Sequence, residues 1–342
     1  MANKLPTTMK QWVLRDKSGF GNLLLEEAPL PEIGDFDVLI KVHAVSLNYR
    51  DLMIAQCLTQ LMLLLRSDFA GEVLRTGPLV TRFSPGSRVA GQVHQTHIAG
   101  TITAADAMNS LGGLVDGGLR QYAAYHEGGL VEIPANLSWR EGATLACAAL
   151  TAWNALYGGA KALRPGETVL VQGTGGVSLF VCQFAKAGGA EVIATTSGED
   201  KIGVLRAAGA KHILNYNTNP DWGKTAKELS AGKRGADYVL EIGGPNTFEQ
   251  SCAAASIDGT IAIIGTRAGQ SPGTALPHTA LVQTRRIMIG SRLQFEEMSR
   301  AIEVNDIKPV VDGRAFGFGE VREAYEYLWE QKAVGKVVVD VE

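Results

Sequence analysis

Thr168-Val169-Leu170-Val171-Gln172-Gly173-Thr174-Gly175-Gly176-Val177-Ser178 is the stretch on which the fold turns. A short apolar run with strand character passes directly into a glycine-rich turn, and Leu179-Phe180-Val181-Cys182 carries on as an apolar helix. Gly173 permits the tight turn, Gly175 lets the backbone come close to a ligand, and the small Ser178 allows the helix to pack closely on the strand. Gly176 and Val177 open the helix, where free N–H groups and the positive end of the dipole suit anions. The stretch reads as a pyrophosphate-binding turn, with Gly173, Gly175, Gly176 and Val177 as its contacts. A G-x-G-x-x-G whose third glycine is serine is a weak signal alone, so the flanking pattern carries the reading.

About twenty residues further on, Glu191-Val192-Ile193-Ala194-Thr195 reads as the second strand of a Rossmann sheet, whose tip selects between NAD and NADP. No carboxylate stands at the tip; Thr196, Ser197 and Gly198 come first, then Glu199, Asp200 and Lys201. Hydroxyls and a lysine suit a 2′-phosphate, so Thr196, Ser197 and Lys201 favour NADPH over NADH. Lys201 also reads as the solvated first turn of the next helix, with Glu199 and Asp200 complementing its dipole. Gly243 and Gly265 close later strands, and Gly290-Ser291-Arg292 follows another. Ligands bind at such strand ends, which adds Gly243, Gly265 and Ser291 to the cofactor contacts, although glycine there also simply makes turns.

Outward from this centre the chain divides in character. The N-terminal third holds short β-branched runs between turn residues: 11–14, 37–45, 71–74, 86–91 and 122–125. From about Trp139 helices and strands alternate: helix 140–156, strand 168–172, helix 177–187, strand 191–195, helix 200–208, strand 212–215 and helix 221–230. Strand 238–241, helix 246–255, strand 260–264 and strand 286–290 complete the series. The fold class is α/β, a doubly wound parallel Rossmann sheet inserted in a mostly β domain. The boundaries fall at residues 1–138 with 293–342 for the β domain and 139–292 for the dinucleotide domain. The amphipathic helix 321–329 and the strand 336–339 return to the first domain.

With 342 residues the chain can bury the cores of two domains. A net charge of −3 gives no electrostatic basis for binding nucleic acid or an acidic membrane. The start, Met1-Ala2-Asn3-Lys4-Leu5-Pro6, lacks the apolar stretch of a signal peptide, and no apolar run approaches a membrane span, so a cytoplasmic protein is expected. Cys57, Cys147, Cys182 and Cys252 are scattered with no C-x-x-C pair and read as reduced.

Ser46-Leu47-Asn48-Tyr49-Arg50-Asp51, Asp68-Phe69-Ala70-Gly71-Glu72-Val73, Gly86-Ser87-Arg88-Val89, the segment 143–153, the glycine turn and Gly335-Lys336-Val337-Val338-Val339 occur in an order that resembles the medium-chain dehydrogenase/reductase superfamily. The resemblance covers nearly the whole chain and is to the zinc-independent, quinone oxidoreductase-like branch. It implies a GroES-like catalytic domain, an alcohol dehydrogenase-like architecture and a homodimer. It also implies that Asn48 and Tyr49 lie under the nicotinamide, that Thr151 holds the nicotinamide end, and that Tyr216 lies near the adenosine phosphate. Asn48 then contacts substrate or nicotinamide and polarises a carbonyl by hydrogen bonding, and Tyr49 either returns a proton or simply packs. Arg50 and Asp51 read as a structural pair fixing this loop.

Zinc-dependent relatives carry a Cys near Asn48, a His-Glu pair where this chain has Ser67-Asp68, and a Cys matching Cys147. A catalytic zinc needs three protein ligands, and here only Cys147 remains, with Asp68 as a weak helper, so no zinc is expected. Residues 84–120 contain no cysteine, which removes the structural zinc lobe as well. His94 and His97 read as two surface-loop histidines. Relatives also carry a glycine and a tyrosine in a proline-rich loop, where 56–66 is apolar instead; it reads as a greasy pocket or lid, or as a buried or interface helix. The expected function is hydride transfer to a small-molecule quinone, α,β-unsaturated carbonyl, aldehyde or ketone. The alternative is a non-catalytic NADPH-binding protein, a sensor or structural protein of the same fold.

Overall fold

The computed structural model describes residues 5–16, 18–56, 68–112, 114–265 and 281–341. Two compact units emerge: residues 1–150 with 291–342, and residues 151–290. Most of the apolar segment 56–66 lies outside the described residues, as does Ser67.

In the first unit the strands are β1 (Thr8–Leu14), β2 (Leu23–Pro29), β3 (Asp37–Ser46), β4 (Asp68–Thr76), β5 (Arg88–Gly91), β6 (Tyr122–His126) and β7 (Leu130–Glu132). Helices α1 (Tyr49–Ala55), α2 (Ala104–Met108) and α3 (Trp139–Gly142) punctuate them, and a π-helical turn follows at Leu145–Ala149. The second unit is entered through α4 (Leu150–Tyr157). It continues β8 (Thr168–Gln172), α5 (Gly176–Ala187), β9 (Glu191–Thr196), α6 (Ile202–Ala208), β10 (His212–Asn215), α7 (Trp222–Leu229), β11 (Ala236–Glu241), α8 (Pro245–Ala254), β12 (Ala255–Ile263) and β13 (Val282–Arg286). The chain then returns to the first unit with α9 (Arg292–Val304), β14 (Phe316–Gly317), α10 (Val321–Trp329) and β15 (Val338–Asp340).

The sheet of the second unit runs β10-β9-β8-β11-β12-β13, all parallel. This is the Rossmann order, and its reversal between β8 and β11 creates the crevice where ligands bind. Every residue of β8 and of β11 is buried, as expected for central strands covered by helices on both faces. Trp222, Phe248, Val239 and Ile261 pack with Leu170 and Ile193 in its core.

In the first unit the main sheet runs β14-β15-β3-β4-β5-β7, with β6 also paired to β3, and β1 and β2 form a separate hairpin pair. Strand β3 is central because its Val38, Ile40, Val42 and Val45 all enter the core, where Phe69 and Tyr125 stack at 5.0 Å. Helix α10 closes this core with Val321, Ala324 and Tyr325, an apolar stripe at helical spacing.

Two expectations are corrected. The last strand of the parallel sheet is 282–286, paired Gly259↔Val282 through Ile263↔Arg286, rather than 286–290. Beyond Arg286 the chain leaves the sheet, because Ile289 sits at φ 54°, a left-handed conformation costly for a β-branched residue, and the Asn154 amide donates to its carbonyl. His94 and His97 are not surface residues: they are 1% and 5% exposed. Their loop folds on itself, His94 bridging to Ser110, His97 Nε2 lying 3.0 Å from Gly100 O, and Gln92 donating to His97 O.

Candidate active site

The turn after β8 has the geometry its glycines require. Gly173 is at φ 74°, and a Cβ added at Gly173 or Gly175 would meet nothing, so this face of the backbone is open to a ligand. Gly175 caps α5 with no side-chain hydrogen bond, Gly176 is the first helical residue and Val177 is half-buried, leaving the first N–H groups to an anion. Ser178 Oγ donates to Gln172 O at 2.7 Å, so the serine that replaces the third glycine ties helix to strand.

Across the switch point the tips of β8 and β11 are bound together by two side chains that sequence reasoning did not single out. Glu241 is 1% exposed. Its Oε1 accepts from Gly244 N at 2.7 Å and Thr247 Oγ1 at 2.5 Å, and its Oε2 from Gln172 Nε2 at 2.9 Å and Ser251 Oγ at 2.5 Å. Gln172 Oε1 in turn accepts from Ile242 N and Gly243 N, both at 3.0 Å. Gly243 and Gly265 are glycines for packing reasons, since a Cβ at Gly243 would strike Thr247 and one at Gly265 the Ile242 carbonyl. The signal available in the sequence was a carboxylate ending the apolar run Tyr238-Val239-Leu240-Glu241.

At the tips of β9 and β10 the predicted 2′-phosphate residues gather. Tyr216 N donates to Thr196 O at 3.0 Å, and Asn217 Nδ2 donates to Ser197 O at 2.9 Å. Thr196 is buried with its hydroxyl turned to Gly198 O, while Ser197 is exposed, Lys201 half-buried and Tyr216 42% exposed. Thr151, 5% exposed, begins the second unit. Ser291 is committed to capping α9, its hydroxyl accepting from Gln294 N and its own N–H donating to Gln294 Oε1.

The first unit holds the second group of predicted residues. Asn48 caps α1: its N–H donates to Asp51 Oδ2 at 2.7 Å, and Asp51 N donates to Asn48 O at 2.9 Å. Asp51, fully buried, thus serves the helix start. Arg50 interacts with it electrostatically, and burial lowers the Arg50 pKa against the raising influence of Cys147 and Asp51. The Tyr49 ring stacks on Trp329 at 6.3 Å with planes 5° apart. Lys336, 4% exposed, sends its Nζ to Leu47 O at 2.7 Å and to Asn48 Oδ1 at 2.6 Å. Asp68 Oδ2 accepts from Cys147 N at 3.0 Å within the π-helical turn.

A divalent metal fits this set poorly. Asn48 spends its carbonyl oxygen on an ammonium, the positive charge of Arg50 acts on Cys147, and a carboxylate oxygen of Asp68 is held by a backbone N–H. Among the described residues no group of three or more His, Cys, Asp or Glu side chains could hold a metal ion.

Comparison with known proteins agrees with this architecture. Residues 34–135 match the family described as alcohol dehydrogenase GroES-like domain, and residues 176–305 the family described as zinc-binding dehydrogenase. A zinc-type alcohol dehydrogenase-like protein of Schizosaccharomyces pombe is 40% identical over 97% of this chain and 99% of its own. A crotonyl-CoA reductase of Streptomyces avermitilis is 29% identical over 75% of this chain and 67% of its own. The solved structure of a candidate alcohol dehydrogenase from Sinorhizobium meliloti 1021 superposes with TM-score 0.91 at 36% identity, covering 98% of this chain and 100% of that one. A Rossmann sheet in 3-2-1-4-5-6 order, a GroES-like unit built from both ends of the chain and these full-length similarities have one reading: the chain is an oxidoreductase of the medium-chain dehydrogenase/reductase superfamily.

Proposed function

We propose that the chain is a zinc-independent, NADPH-dependent reductase acting on an α,β-unsaturated carbonyl, a quinone, or an aldehyde or ketone. The observation that carries the reading is the amide of Asn48, backed by the Lys336 ammonium, in the segment near which the zinc-dependent relatives carry a cysteine. A reduced nicotinamide supplies the hydride when bound. The turn 173–177 with the uncapped start of α5 holds the pyrophosphate, Ser197 and Lys201 with Tyr216 receive the adenosine-side phosphate, and Thr151 steadies the nicotinamide end. Asn48 then donates to the substrate oxygen as negative charge develops there, which is electrostatic stabilisation by a fixed dipole. The proton that completes reduction comes from water. We assign the donor role to Asn48, and Tyr49, whose ring stacks on Trp329, is its packed neighbour. The similarity to a protein named crotonyl-CoA reductase supports including an enoyl thioester among the substrates to test.

The test is NADPH consumption on a quinone, an enone, an enoyl thioester and an aldehyde, with NADH as the comparison cofactor. Turnover on one class, lowered at least about a hundredfold by Asn48→Ala with folding intact, is the expected result. NADPH binding with silence across the panel would overturn the enzymatic reading in favour of a non-catalytic NADPH-binding protein, and unchanged turnover in Asn48→Ala would remove Asn48 from the mechanism.

A further inference from the structure

An asparagine side chain carries a carbonyl at one end and two N–H donors at the other, and the two ends exchange by a half-turn about the last side-chain bond. An asparagine meant to donate to a reacting oxygen has to be kept from that half-turn. In this chain the partner across from Asn48 is Lys336, an ammonium with three donors and no acceptor. Its Nζ lies 2.6 Å from Asn48 Oδ1 and 2.7 Å from Leu47 O. Turning the amide over would set an NH₂ against an ammonium, donor against donor, so the carbonyl end is locked inward. The NH₂ end is then presented on the opposite side, and among the described residues it has no acceptor, in a residue only half-buried.

Lys336 is itself held in place. It is 4% exposed, its backbone N donates to Val310 O at 3.0 Å, and its carbonyl accepts from Asp312 N at 2.9 Å. Gly335 before it is at φ 81°, where a Cβ would strike the Val310 carbonyl, so the chain is brought close at this point. Burying a lysine is expensive unless its donors are met, and here two of them are spent on the residue that caps α1 and on the one before it. We infer that Lys336 is a positioning residue for the reaction: it fixes the Asn48 amide with its NH₂ toward substrate and, by polarising the carbonyl, strengthens those N–H groups as donors. The inference rests on the proposed reductase activity for its kinetic consequence but not for its geometry.

Three variants and two readouts test it. Lys336→Met leaves the amide free to turn over; kcat falls about tenfold or more, short of the full loss of a donor, while KM for NADPH moves less than about threefold. Lys336→Arg, which keeps a donor-only cation, restores most of kcat. Asn48→Asp keeps an oxygen for Lys336 and loses the NH₂, so it folds like the wild type and loses turnover about a hundredfold. The second readout needs no activity. In protein labelled with ¹⁵N-asparagine, the Asn48 side-chain amide, assigned by its disappearance in Asn48→Asp, shifts or broadens in Lys336→Met and stays near its wild-type position in Lys336→Arg. An Asn48 amide signal unmoved by Lys336→Met, or a kcat within about twofold of wild type in that variant, overturns the inference. If Lys336→Met does not fold, an Asn48→Asp protein that is folded and inactive supports the inference, and one that retains turnover overturns it. If the wild type turns over nothing, the proposed function fails while the amide signals still decide the geometry.

Discussion

Replacing Glu241 with glutamine changes one oxygen for an NH₂ and nothing in shape, so its consequence can be worked from the contacts. The carboxylate accepts from Gly244 N and Thr247 Oγ1 at one oxygen and from Gln172 Nε2 and Ser251 Oγ at the other. Whichever oxygen becomes NH₂ then faces two donors. A hydroxyl can rotate and accept, but the Gly244 N–H cannot turn, and Gln172 cannot flip without taking its Oε1 away from Ile242 N and Gly243 N. One fixed donor is therefore left facing a donor, and the remaining bonds lose their charge assistance. An unsatisfied buried donor costs about 1–3 kcal/mol, and weakening of a charge-assisted bond adds about 1–2 kcal/mol. Glu241→Gln should thus destabilise the unit 151–290 by about 2–5 kcal/mol, which at this size lowers its melting temperature by roughly 5–15 °C. Calorimetry with and without NADPH is the assay, since the two units need not melt as one. The same loosening reaches Gly243 and Gly244, so affinity for the nicotinamide cofactor, NADPH on the proposed function, falls as well. A melting temperature within about 2 °C of wild type, with unchanged NADPH affinity, would refute the reasoning and show that the network rearranges without cost.

Two further predictions address the cofactor and pH. Lys201→Ala should raise the NADPH Kd about tenfold or more, the worth of one charge-assisted bond, and leave the NADH Kd within about twofold; equal effects on both cofactors, by fluorescence titration, would take Lys201 away from the 2′-phosphate. His43 stacks on Trp139 at 4.5 Å, and burial, aided by Lys41, lowers its pKa below 6.5 despite Glu72 at 3.8 Å. Below pH 6.5 the unfolded chain therefore binds the proton more readily, so stability falls as pH drops through that range and is fully recovered above it. His43→Phe, which keeps the stack, should flatten the urea midpoint between about pH 5 and 6.5, above the range in which carboxylates titrate; an unchanged slope there would refute it.

The parts of the fold legible in the sequence are those that local patterns dictate. The glycine turn could be read because Gly173 needs a positive φ and Gly175 an open face, and both do so in the structure. Strands β8 and β11 could be read because strands buried on both faces are continuous apolar runs. Strand β13 was illegible for the opposite reason: Val282-Gln283-Thr284-Arg285-Arg286 is a polar outer strand, whereas the apolar Ile287-Met288-Ile289 after it is irregular and not strand. His94 and His97 misled because two histidines in a loop give no sign that the loop folds in on itself. Asn48 was singled out by its motif, but the direction of its amide was not legible, because the lysine it faces lies 288 residues away. Gln172 and Glu241, 69 residues apart, are hidden in the same way.

These two long-range contacts solve one problem with opposite charges. A side-chain amide is ambiguous by half a turn, and a site that depends on one end of it has to break the symmetry. At the tip of β8, Glu241 can only accept, so Gln172 must give it the NH₂ and turn its oxygen to the backbone of Ile242 and Gly243. At the start of α1, Lys336 can only donate, so Asn48 must give it the oxygen and keep the NH₂ for the other side. In each case the buried charge meets groups of fixed direction: a backbone N–H and an amide, beside two hydroxyls, for Glu241, and a backbone carbonyl and an amide for Lys336. The desolvation cost of the charge is therefore met locally, and what it secures is the polarity of a neutral neighbour. Glu241→Gln and Lys336→Met each remove the charge that sets the direction of a neighbouring amide while keeping a side chain of nearly the same size, so both test orientation rather than packing.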